Sequence, residues 1–111
     1  MKILLNPLSG QFDYAPSDVF AVEVVSTNTS AAANTTYLVD VSGGPVTITL
    51  PAPAANTYVV IKDSEGTSET NTLTIAPKGA EKIDGVAANL LVQSNFQSVI
   101  LVSDSINWYR V

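Results

Sequence analysis

The chain has 111 residues, of which 46% are hydrophobic and only 14% charged; its net charge is −5, and it contains neither Cys nor His. The length fits one domain with a proper core, and the two missing residue types exclude disulfides, thiol nucleophiles, thiolate metal sites and the commonest general base. The five cations (Lys2, Lys62, Lys78, Lys82 and Arg110) are scattered, so no basic patch can neutralise phosphates, and an acidic chain is repelled by anionic lipid; nucleic acid and membrane are not expected partners.

In chain order, residues 1–19 come first and differ from the rest. The apolar run Ile3 to Leu5 is far shorter than the roughly 7–15-residue core of a signal peptide. Pro7, Gly10 and Pro16 break the segment, and its large hydrophobes stand isolated at Leu5, Leu8, Phe12 and Tyr14, with neither helical nor strand period. Spaced hydrophobes in an extended segment read as an anchoring arm, and Leu5, Leu8, Phe12, Tyr14 and Phe20 are the candidate partner-binding residues. An arm folded back on its own domain is the plain alternative. Residues 20–111 read as one β domain.

Within that domain AVEVV (21–25) is apolar on both faces. TTYLVDV places Tyr37, Val39 and Val41 on one face, and PVTITL alternates Val46, Ile48 and Leu50 with Thr47 and Thr49, the mark of half-buried strands. Ser42-Gly43-Gly44-Pro45 between them predicts a hairpin. Pro51 and Pro53 end the next strand. YVVIK (58–62) is again apolar on both faces, and a polar loop from Asp63 to Thr70 surrounds Gly66. Leu73 and Ile75 alternate with Thr72 and Thr74, and turns follow at Pro77-Lys78-Gly79 and Asp84-Gly85. LLV (90–92) and SVILVS (98–103) precede a turn at Asp104-Ser105 and a last strand with Trp108 and Tyr109 on opposite faces. Helix is confined to single-turn candidates at Ser30–Ala33 and 85–89. About eight or nine short strands with frequent turns predict an all-β, single-domain antiparallel sandwich or barrel. Apolar residues on both faces imply cover from a second sheet or a neighbouring subunit.

The chemistry is sparse. Asp40, Asp63, Asp84 and Asp104 each stand where a strand enters a turn, a position where Asp accepts backbone N–H groups; a glycosidase instead needs two carboxylates facing one bond. Asp63-Ser64-Glu65-Gly66 with Glu69 lacks the length and flanking helices of a calcium loop. Gly43-Gly44 is followed by no Lys-Ser/Thr pair and no helix, so it is not a phosphate loop. Asn28-Thr29-Ser30 and Asn34-Thr35-Thr36 match glycosylation sequons, as a chain rich in Ser and Thr does by chance. No catalytic residue, metal or cofactor is expected, and the chain reads as non-enzymatic.

The segments YLVDVSGGPVTITLPAP (37–53), VVIKDSEG (59–66), TLTIAPKGAEKIDG (72–85) and SVILVSDSINWYRV (98–111), in that order, resemble a small β module common in bacteriophage tail fibres, head fibres and capsid decoration proteins. The opening LLNPLSGQFD is similar to anchoring segments at the start of some of these proteins. The resemblance implies a virion structural protein, commonly a trimer. The module begins near Met1 and ends with Val111, from which a capsid decoration or head-fibre subunit is expected, bound to the capsid surface through the arm. The alternative is a tail-fibre or tail-tip module that recognises a host receptor or glycan.

Overall fold

A computed structural model describes residues 21–111 in full and, of the N-terminal segment, the backbone of two strands, 4–6 and 11–13. These two, β1 (Leu4–Asn6) and β2 (Gln11–Asp13), form an antiparallel pair in the segment read above as irregular. The remaining strands are β3 (Ala21–Val25), β4 (Thr29–Ser30), β5 (Thr35–Val39), β6 (Val46–Thr49), β7 (Thr57–Asp63), β8 (Leu73–Ala76), β9 (Leu90–Val92), β10 (Ser98–Ser103) and β11 (Trp108–Arg110). No helix occurs among the described residues.

The protein is all-β, with two mixed sheets. One has five strands in the order β11-β10-β7-β5-β3, the other four in the order β4-β6-β8-β9. From β3 to β8 the chain changes sheet at every strand, so successive strands of one sheet lie two apart in sequence and run parallel. Only the last third turns back: β9 pairs antiparallel with β8, β10 with β7, and β11 with β10. The result is a short two-sheet coil closed by antiparallel strands.

This corrects two expectations. The fold is not a purely antiparallel sandwich, nor a closed barrel. Residue alternation reports which face is buried and is the same for parallel and antiparallel neighbours, so the error lay in the turns. Ser42-Gly43-Gly44-Pro45 does not make a hairpin, because β5 and β6 belong to different sheets. The two-residue hairpin turns need a positive φ at the first central residue, and Gly43 has none; Gly44 alone does, at 150°. The segment carries the chain across the core instead. Asp84-Gly85, by contrast, has φ of 51° and 77°, as a type I′ turn requires, and it joins Ile83 to Val86 by reciprocal backbone hydrogen bonds of 3.0 Å.

The core lies between the sheets. The five-stranded sheet contributes Tyr37, Val39, Val59, Ile61, Val99, Leu101 and Trp108; the four-stranded sheet contributes Val46, Ile48, Leu73, Ile75 and Val92, and all of these are buried. Register stacks them in rows, Tyr37 beside Ile61 beside Val99, and Val46 beside Leu73 beside Val92. Each such side chain contributes about 1.5–3 kcal/mol by leaving water. Trp108 faces inward and Tyr109 outward, as alternation requires.

Asn and Asp side chains tie the loops between coils. The Asn28 carboxamide oxygen accepts the Thr47 N–H at 2.8 Å, that of Asn34 the Tyr58 N–H at 3.0 Å, and that of Asn107 the Lys82 N–H at 2.8 Å. Both sequon asparagines therefore serve as backbone acceptors, which accounts for their presence without modification. A chain low in charge and rich in Asn satisfies its turn backbone in this way.

Candidate interaction face

Strand alternation sends every second residue of the five-stranded sheet away from the core. The register sets these residues in rows: Val22, Thr36, Val60 and Ile100; then Val24, Leu38, Lys62 and Ser98; then Tyr58, Val102 and Tyr109. The face is largely aliphatic and aromatic, and it carries no carboxylate. Val22 is 50% exposed, Val24 73%, Ile100 44% and Tyr109 38%. The outer face of the four-stranded sheet is different: Ser30, Thr47, Thr49, Thr74 and Ala76 surround one large apolar residue, Leu91, 49% exposed.

Phe96 stands at one end of the apolar face. It is 57% exposed and has a φ of 62°, a strained value for a bulky residue. Three contacts hold it there. The Lys62 ammonium, on the outer face of β7, donates to the Phe96 carbonyl at 2.5 Å and lies 5.7 Å from the ring centroid. The buried Asp63 carboxylate accepts the Phe96 N–H at 3.0 Å. The ring also covers Gly66, where a Cβ would fall 2.3 Å from Phe96 Cε2.

Asp63 is the hub of this corner. Its two oxygens also accept the N–H groups of Glu65, Gly66 and Ser68, at 3.3, 3.0 and 3.0 Å. Burial pushes its pKa up, but the donors from Phe96, Ser68 and Thr67 outweigh burial and hold it at about 2. A carboxylate ringed by N–H donors is the reverse of a cation site, so the calcium-like spelling of 63–69 encodes a turn. Glu69, a further acid in that pattern, accepts from the Asn95 side chain at 3.2 Å.

The other turn acids have the same occupation. Asp40 accepts from the Ser42 hydroxyl and N–H at 2.5 and 2.8 Å, Asp84 from Arg110 Nε at 2.6 Å and the Arg110 N–H at 3.0 Å, and Asp104 from the N–H groups of Asn107 and Ile106 at 2.8 and 2.9 Å. Each of these bonds lowers the pKa of its acceptor. An open cleft of about 470 Å³ between Ser26–Asn28 and Ser42–Pro45 contains one acid, Asp40, already bound to Ser42. Among the described residues no three metal-ligating side chains gather.

The arm residues Leu5, Leu8, Phe12, Tyr14 and Phe20 lie outside the described residues; for Leu5 and Phe12 the backbone alone is placed, each opposite the other in β1 and β2. The runs at 21–25, 58–62 and 98–103 signalled a two-faced sheet from sequence. That register joins them into one surface was not legible, and Phe96, a lone aromatic in a polar loop, gave no signal.

No match was found among curated proteins. The family model described as Bacteriophage T4 gp9/10-like protein, N-terminal, matches residues 6–107, spanning β2 to β10: all of the four-stranded sheet and four strands of the five-stranded one. On that match the chain belongs to the bacteriophage T4 gp9/10-like family of phage structural proteins.

Proposed function

We propose that the chain is a non-enzymatic subunit of the phage particle, a capsid decoration or head-fibre protein. It binds the capsid surface through its N-terminal arm and projects a trimeric β domain. The family match over residues 6–107 carries the structural role. The turn carboxylates support a role in binding alone, since Asp40, Asp63, Asp84 and Asp104 are each occupied by protein donors. Copies arrayed on a lattice make weak single contacts cumulative. Deleting residues 1–16 abolishes binding to undecorated particles in a co-sedimentation assay while circular dichroism still reports a folded β domain. Binding that survives the deletion refutes the arm as anchor.

A tail-fibre or tail-tip module is the second reading. The hydroxyl-rich outer face of the four-stranded sheet, with Thr47 paired to Thr74 and Thr49 next along the same face, favours it, as a flat polar surface suits a host glycan. Binding to a glycan array without binding to capsids selects this reading.

A further inference from the structure

We propose that the outer face of the five-stranded sheet is the surface through which copies of this chain meet. The inference rests on the trimeric reading above and names the face that builds the assembly.

Size is the first ground. Five strands spaced about 4.8 Å apart, with one to three outward side chains each, span on the order of 350–400 Å². Apolar patches of a few hundred Å² mark interaction sites. The area is about half of what a standard pairwise interface takes from each partner, roughly 800 Å². The face is thus the core of an interface, completed at its edge by Phe96, which Lys62 and Asp63 hold in a strained, exposed position.

Charge selects the occupant. Each chain carries −5, so two copies repel wherever carboxylates face each other. Glu65, Glu69, Glu81, Asp84 and Asp104 lie in loops, and the outward rows of the five-stranded sheet hold none of the acids. The charges at this surface are Lys62 at one end and, at the rim, Asp104, which accepts from the Tyr109 hydroxyl at 3.1 Å, so it is the surface on which like-charged copies bring the fewest carboxylates together. A basic foreign partner would be drawn to the acidic loops instead.

The edge of the sheet sets the mode of contact. On β3 the core-facing row ends in Glu23, opposite Tyr37, and Glu23 is exposed. A charge in that row of an edge strand opposes edge-to-edge pairing with another sheet. Pairing through the β3 edge is therefore opposed, which favours the broad outer face as the contact.

The test measures the solution mass of the full-length chain and of two variants by light scattering, with folding checked by circular dichroism. Ile100→Glu puts a carboxylate on the apolar face; Leu91→Glu puts one at a similarly exposed strand position on the other sheet. The wild type and Leu91→Glu are expected to be trimers. Ile100→Glu is expected to be a folded single chain, with association weakened on the order of 100-fold or more by the buried, unpaired charge. Val24→Glu, at the most exposed position of the face, takes its place if Ile100→Glu does not fold. A trimeric wild type whose face variants stay trimeric overturns the proposal and leaves the trimer standing; this is also the result if the chain's own arm covers the face. A monomeric wild type overturns both.

Discussion

On the inside the two sheets are alike: Val59, Ile61 and Leu101 of one meet Ile48, Leu73 and Ile75 of the other. On the outside they part. One shows Val22, Val24, Leu38, Val60 and Ile100; the other shows Thr47, Thr49 and Thr74. The sheets share coils and connections, so the fold does not demand the difference. Threonine keeps the β-branched shape that suits a strand and presents a hydroxyl to water. Its use on the four-stranded sheet shows that the coil tolerates a polar exterior. The aliphatic exterior of the other sheet is therefore a feature of what that sheet touches.

The largest expected effect separates the inner from the outer positions of each sheet. Ile61→Ala and Ile75→Ala, buried in opposite sheets, are each expected to cost 2–5 kcal/mol in chemical denaturation. Val60→Ala and Thr74→Ala, their outward neighbours, are each expected to cost under about 1 kcal/mol in the dissociated chain. Equal losses inside and outside would contradict the two-layer account.

The Phe96 corner gives the next effect. Because the folded pKa of Asp63 is depressed to about 2, its contribution is fully present above the ordinary carboxylate range and is lost as pH falls through about 2. Its size is about 2 kcal/mol. Denaturation midpoints of the wild type should fall between about pH 4 and 2, while Asp63→Asn, already destabilised at pH 7, should show a smaller fall over that range. A variant with the wild-type acid profile would remove Asp63 as the hub.

Salt produces the smallest effect. Copies that carry −5 and meet through a face whose strand rows hold no acid repel at long range and attract at contact. Added salt screens the repulsion, so association should tighten modestly from low to physiological ionic strength. Weakening with salt would mean that ion pairs hold the assembly.

Much of this was legible in the residues. Val46-Thr47-Ile48-Thr49 states which side of its strand is buried, and the four Asp residues at strand ends state their role as acceptors of turn N–H groups. Alternation put Trp108 and Tyr109 on opposite faces of the last strand. Strand partners were not legible, because alternation fixes a face and leaves direction open. Ser42-Gly43-Gly44-Pro45 has a hairpin's spelling, yet whether the next strand lies beside β5 or across the core depends on which partner buries more surface. The apolar face was half legible: the two-faced runs at 21–25, 58–62 and 98–103 announced a covered sheet, but their alignment rests on long-range register. Phe96 depends on Asp63, which lies 33 residues away in sequence.

The most direct test of the contrast between the two outer faces is radical footprinting of the intact protein, comparing Ile100 with Leu91. Both are aliphatic strand residues of near-equal exposure in the single chain, 44% and 49%, on opposite sheets. Ile100 is expected to be protected several-fold relative to Leu91 at concentrations where the protein is assembled, and the two are expected to react alike on dilution to single chains. Equal labelling of both residues in the assembled protein would contradict this.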